Sequence, residues 1–409
     1  MNNNDMVDVS IVGGGPIGIH TAIRLADAGI GVTIIEDDSI IGEPRWCTGL
    51  ISEDVFDIFD ISRDSLQNRL FSARVISPLG NEMKFVNRRM KACIIDRTKF
   101  DQELYNKAKK KGVRFLLSTH CFDIEKNSSH IKLSLKSNNE PSYLYAKLCV
   151  LATGIKYDLH SKIGLGQPSQ FLDSIQSEFS TKDVENVEIY LGSVFAPQSF
   201  AWVVPVNSGV SRIGVSTSSN SYSYLMKLLE SDYLKDRVVK TDKPKMVKRP
   251  IPVGTIRKTF ADRILVIGDA AGQVKPISGG GIYYGLISSN IASEVIINAF
   301  KKSRFDENSL STYETRWKKK IGFELTIGLW LRDSFSNCTD EQIDSLVQLC
   351  SQPNILSVFQ KYDYFNSHSK LFKTLIKKPA FWSTIYKIYK ILSGESNINM
   401  EQQMEAIIK

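Results

Sequence analysis

The chain leaves a polar start on a mostly apolar run at 9–12, short and bounded by glycines. That pattern predicts a buried strand. Ile19, Ile23, Leu25 and Ala26 then recur at helical spacing, Gly29 stops the helix, and residues 32–35 resume as a second buried strand. Residues 71–78 and 82–87 alternate in part, as a hairpin around residues 79–81 would. Phe100, Leu104 and Ala108 share one face of a helix that Asp96 can cap and Gly112 ends. Residues 113–117, 122–125, 131–135 and 148–151 read as strands. From about 170 to 256 the strands lengthen and aromatics increase, with 197–205 and 211–218 pairing across Asn207-Ser208-Gly209. Residues 263–267 form a late buried strand, followed by glycines and a helix to about Phe300. Beyond 303 the chain is mostly helical and lysine-rich.

The first turn carries the chemistry. Gly13, Gly15 and Gly18 stand in G-x-G-x-x-G spacing between strand and helix, and Glu36 ends the next strand. Gly13 permits the tight turn, Gly15 lets a pyrophosphate approach the backbone, and Gly18 lets helix and strand pack closely. The pyrophosphate would rest on the positive end of the helix, and Glu36 would accept hydrogen bonds from a ribose.

Composition narrows the field modestly. The 409 residues carry 52 Lys plus Arg against 44 Asp plus Glu, a net charge of +8. This suits anionic cofactors, phosphorylated substrates or an anionic membrane surface. No basic run is interleaved with stacking aromatics, so nucleic acid is not an expected partner. The six cysteines are scattered and none forms C-x-x-C. Zinc, iron–sulfur and other metal sites therefore lack support, and a reducing cytoplasm is the expected location. No signal peptide precedes the nucleotide fold, and no apolar run is long enough to span a bilayer.

The late strand points to FAD. Asp269, at the end of a buried strand, can bond ribityl hydroxyls. Backbone N–H groups near Gly281 and Ile282 can face the flavin N1–C2=O edge, which becomes negative on reduction. With Ala152-Thr153-Gly154 between them, the motifs occur in the order GGGPIG, GEPRWCTGLIS, IDRTKFDQEL, LATG, PQSFAWVVP and IGDAAGQVKPISGGGIYYG. In that order the chain resembles the geranylgeranyl reductase family of FAD enzymes, over roughly residues 6 to 300. Members of that family include archaeal digeranylgeranylglycerophospholipid reductases.

The resemblance implies an α/β fold. It has a Rossmann-like, hydroxylase-type FAD-binding domain (1–70, 97–165 and 257–302), an inserted β-sheet substrate domain (71–96 and 166–256) and a helical C-terminal region (303–409). It places Gly13, Gly15, Ile17, Gly18, Glu36, Cys47, Thr48, Arg97, Cys121, Asp269, Gly281 and Ile282 around FAD, with Cys121 acting through its backbone. The family's P-x-x-Y-x-W-x-F-P pattern stands here as Pro197, Phe200, Trp202, Val204 and Pro205. Phe200 replaces the tyrosine and Val204 the phenylalanine. The lining stays apolar but a hydroxyl is lost. Phe200, Trp202 and Val204 would then line a lipid slot.

The implied reaction saturates C=C bonds of an isoprenoid lipid or prenyl diphosphate. Cys47 is the candidate catalytic residue, giving a proton or closing the flavin site on substrate, with Arg45 nearby to favour its thiolate. A second G-x-G-x-x-G for NADPH is missing, so either NADPH or reduced ferredoxin would supply electrons. The amphipathic, lysine-studded residues 370–392 would rest on the enzyme or on an anionic membrane. Two other functions share these features. One is a flavin monooxygenase or halogenase, whose W-x-W-x-I-P signature FAWVVP faintly echoes. The other is a flavoprotein that only shuttles electrons.

Overall fold

A computed structural model describes residues 6–44, 47–87, 91–239, 244–361, 365–366, 388 and 390–391. The chain forms two compact units. One comprises Met1–Gln67, Cys93–Leu172 and Arg249–Leu329, and the other Asn68–Ala92, Asp173–Lys248 and Trp330–Lys409.

The first unit is built on a parallel sheet in the order Ile264–Val266, Glu140–Leu151, Val7–Val12, Val32–Ile35, Arg114–Leu116. Val7–Val12 is central, and Val9 and Ile11 are completely buried, which explains the apolar character of that run. The helices Pro16–Asp27, Arg97–Lys110 and Ile282–Lys302 supply apolar faces to one core with these strands. Asp96 caps the second helix as its position suggests, accepting from the N–H groups of Thr98 and Lys99 at 3.0 and 3.2 Å.

A second core forms with the antiparallel ribbon Thr119–Lys126, Ile131–Ser137 and Glu140–Leu151. The sequence pattern expects a strand only at 148–151, yet it begins at Glu140. Its first half is half-exposed and polar, so apolar periodicity does not mark it. Antiparallel pairing across Asn138-Asn139, both at positive φ, organises it instead.

The second unit holds a sheet in the order Val247–Lys248, Gln170–Ser180, Val210–Thr217, Phe200–Asn207, Val187–Leu191, Ser72–Ile76, Glu82–Val86. Gln170–Ser180 enters it from the first unit at Asp173. One face, with Ile175, Ala201, Val203, Ile213 and Val215, packs on Leu225 and Leu228 of the helix Ser221–Glu230. The expected hairpins at 71–87 and 197–218 both form.

The region after 303 contains helices Glu307–Trp317, Phe323–Ser336, Asp340–Cys350 and Pro353–Lys361, with a π-helical turn at Lys318–Gly322. The division between the two units falls after Leu329, within the helix Phe323–Ser336. Trp317 explains why its early part joins the first unit: the ring is buried and its Nε1–H donates to Thr259 Oγ1 at 3.0 Å. Of the amphipathic segment 370–392, all but Ile388, Lys390 and Ile391 lies outside the described residues. No helix of the described residues is long and apolar enough to cross a membrane.

Candidate flavin site

The glycine turn is formed as its spacing requires. Gly13 has φ +113°, and a Cβ there would stand 2.2 Å from the Ala152 carbonyl oxygen. A Cβ at Gly18 would stand 2.2 Å from the Gly13 carbonyl oxygen, so helix and turn touch backbone to backbone. Gly15 differs, since a Cβ at this helix N-cap would meet nothing within 4 Å. No side chain caps that helix end. The start of this helix is therefore open at Gly15, where a pyrophosphate would bind.

Glu36 lies beside the turn. Its Oε2 accepts from Gly14 N–H at 2.5 Å and its Oε1 from Asp38 N–H at 3.0 Å. Burial pushes its carboxyl upward, and the two backbone donors oppose that shift. Ile17 connects this turn to the late motif. Its side chain packs against Gly268, and a Cβ at Gly285 would strike Ile17 Cδ1 at 2.7 Å. A Cβ at Gly281 would stand 2.3 Å from Asp269 Oδ1, so only glycine lets that carboxylate approach the start of the helix Ile282–Lys302. Gly13, Gly15, Ile17, Gly18, Glu36, Asp269, Gly281 and Ile282 thus surround one region of the first unit.

Arg249 and Asp101 are functional candidates that sequence reasoning missed. Arg249 Nη2 donates to Asp269 Oδ2 at 3.1 Å and lies 3.4 Å from where a Gly154 Cβ would be. Its charge also acts on Asp101. Asp101 in turn accepts from Arg97 at 2.7, 3.0 and 3.2 Å. Burial works against the charge of Arg97, but Asp101 and then Cys47 hold its pKa raised. Burial raises the Asp101 carboxyl, and Arg97 opposes that. Two ion pairs result, Asp269–Arg249 and Asp101–Arg97. The i, i+4 spacing of Arg97 and Asp101 on a helix was a usable signal. Arg249 lies in a loop 20 residues before Asp269 and had none.

The remaining predicted residues are placed as follows. Cys47 and Thr48 are half-buried, and Cys47 Sγ accepts from Gly49 N–H at 3.3 Å. Arg45 and Trp46 lie outside the described residues. Arg97 turns its fork to Asp101. Cys121 is buried opposite Leu135, and burial pushes its thiol strongly upward, so it is not a reactive group. Phe200, Trp202 and Val204 belong to the second unit, on the sheet face opposite its core. The Phe200 and Trp202 rings lie 5.7 Å apart. The indole covers Gly214, where a Cβ would be 2.3 Å from Trp202 Cζ2, and its buried Nε1 has no partner among the described residues. All six cysteines are free thiols.

The donor set fits FAD: an open glycine turn at a helix N-terminus, a carboxylate ending the second strand, and another at the start of a second long helix. Comparison with known proteins agrees. The family model described as FAD binding domain matches residues 6–319. Digeranylgeranylglycerophospholipid reductase 2 of Methanothermobacter thermautotrophicus is 30% identical over 366 residues, covering 86% of this chain and 93% of that protein. Digeranylgeranylglycerophospholipid reductase 1 of Methanosphaera stadtmanae is 27% identical over 417 residues, covering 98% and 99%. A geranylgeranyl bacteriochlorophyll reductase-like structure from Thermoplasma acidophilum superposes with a TM-score of 0.80 at 22% identity, over 91% of this chain and 99% of that one.

Proposed function

This chain belongs to the FAD binding domain family and, within it, to the digeranylgeranylglycerophospholipid reductases, and on that premise we propose that it saturates isoprenoid C=C bonds of a membrane-lipid precursor. The observation that carries the reading is the open turn at Gly15 joined through Ile17 to the Asp269–Gly281 contact, in a chain with those relatives. FAD, when bound and reduced, supplies the hydride equivalent. Gly13 to Gly15 would hold its pyrophosphate, Glu36 a ribose and Asp269 the ribityl chain. The N-terminus of the helix Ile282–Lys302 would favour negative charge on the flavin ring.

Adding two hydrogens across an alkene also needs a proton. Cys47 would donate it from Sγ and be reprotonated from solvent, while Arg97, held by Asp101, would keep its place on the adjoining helix. An isolated alkene is a weak electrophile, so fixed positioning supplies much of the rate. Phe200, Trp202 and Val204 would provide the dry, apolar surface for the chain. Electrons would come from NADPH or reduced ferredoxin, and contact with the membrane would be peripheral.

The test is anaerobic. The purified protein is reduced with dithionite and given an unsaturated archaeal-type phospholipid or geranylgeranyl diphosphate, and product mass is followed. The expected result is a gain of two hydrogens per double bond with flavin reoxidised. C47A should keep its flavin and turn over about 100-fold more slowly. Unchanged lipid, with substrate-dependent oxygen consumption once air and an aromatic substrate are admitted, would overturn the reductase reading in favour of a monooxygenase.

A further inference from the structure

Among the described residues two arginines are buried, Arg212 at 2% and Arg332 at 9% exposure. Both belong to the second unit. Arg212 has a carboxylate partner, its Nε donating to Glu178 Oε1 at 3.0 Å. Arg332 has none within ion-pairing distance among the described residues. Its Nη2 donates to the Gln198 carbonyl at 3.2 Å, and no other hydrogen bond of its side chain is formed with described residues. The carboxylate acting on it is that of Asp333, the next residue along the helix. A guanidinium carries five donors in a planar fork and stays charged. Removing it from water for one neutral carbonyl is costly, so a buried arginine without a counter-charge calls for an anion. None of its other nitrogens is both sealed and unpartnered, so the rest of the fork is reachable.

Its place gives the anion an identity. Gln198 lies two residues before Phe200, and that segment is pinned on both sides. Thr217 Oγ1 donates to the Pro197 carbonyl at 3.1 Å, and Ser199 and Ser216 hydroxyls bond at 2.6 Å. From Gln198 to Trp202 the backbone reaches at most about 14 Å. A cation thus stands at one end of a strip whose other positions, Phe200, Trp202 and Val204, are apolar. A molecule matching both has a phosphate at one end and a hydrocarbon chain at the other.

We propose that Arg332 binds the phosphate of the isoprenoid substrate, seating its polar end beside Gln198 with the chain running along Phe200 and Trp202. This rests on the reductase reading above. The shared chemistry is a phosphate oxyanion that accepts from two arms of the fork, whether it belongs to a phospholipid headgroup or a prenyl diphosphate.

The holoenzyme and its R332M and R332K variants are assayed with an unsaturated ether phospholipid, with geranylgeranyl diphosphate and with uncharged geranylgeraniol. R332M should raise KM for the phosphorylated substrates about tenfold or more, with kcat and the KM for the alcohol little changed. R332K should recover part of the loss. A change confined to one phosphorylated substrate identifies the headgroup. Inorganic pyrophosphate should bind the wild type by calorimetry and fail to bind R332M. Equal losses on the alcohol, or no change in any substrate, would reduce Arg332 to a prop for the Gln198 carbonyl and overturn the proposal. If the wild type reduces none of the lipids, the reductase reading fails, and pyrophosphate binding to wild type and variants still decides the role of Arg332. Should R332M not fold, R332K and the calorimetry of the wild type carry the same decision.

Discussion

Three glycines in one turn do different work, and substitution separates them. An alanine at Gly15 meets nothing within 4 Å. G15A should therefore fold with an unchanged thermal midpoint as apoprotein, yet lose bound flavin because the methyl stands where a pyrophosphate would lie. G13A meets the Ala152 carbonyl at 2.2 Å from a positive φ that only glycine adopts freely. It should destabilise the protein by about 2–4 kcal/mol. Parallel melts and flavin absorbance on the two variants check this, and equal behaviour would contradict the separate roles. These positions were legible in the sequence because backbone conformation is a local matter. Asp269 and Glu36 were legible too, each marking the end of an apolar strand. Arg249 and Arg332 were not, because an arginine in a loop and one in a helix carry no local sign of what they will face.

Helix packing in the first unit buries two histidines, and this sets an acid dependence. His20, on Pro16–Asp27, bonds Ser289 of Ile282–Lys302 at 2.8 Å and packs edge-on to Phe59. Burial, aided by Arg24 and Lys107, lowers its pKa to about 3. His160 is sealed, its Nδ1–H donating to the Gly166 carbonyl at 3.1 Å, and burial lowers its pKa to about 4. A base whose folded pKa lies below its unfolded value, 6.5, is protonated first in the unfolded chain. Its contribution to stability is complete above 6.5 and declines as pH falls through the folded value. Glu103, raised to about 7 by burial and by Asp64, acts in the opposite direction over part of that range. The difference in thermal midpoint between wild type and H20N isolates the histidine. It should be largest above pH 6.5 and shrink toward pH 4, and a constant difference would contradict the assignment. The apolar spacing from Ile19 to Ala26 puts His20 within a helix. It had no means of pairing it with a serine 269 positions away.

For the molecule as a whole, the net charge of +8 supports the proposal that contact with an anionic lipid surface is peripheral. Full-length protein should float with anionic liposomes, and the chain ended after residue 369 should not. Binding should weaken at about 1 M salt, where the Debye length is about 3 Å. Equal flotation of the truncated chain would remove the tail from the account. The sequence by itself determined the glycine turn, the two carboxylates that end strands, the late helix start and the hairpin bearing Phe200, Trp202 and Val204. All of these are expressed within about a dozen neighbouring residues, where steric and periodic constraints are local. Tertiary structure alone decided that Arg249 reaches Asp269 and that the helix Phe323–Ser336 delivers Arg332 to Gln198. Each of these depends on where long-range packing brings a charged side chain, and a charge leaves no periodic trace of its partner in the chain.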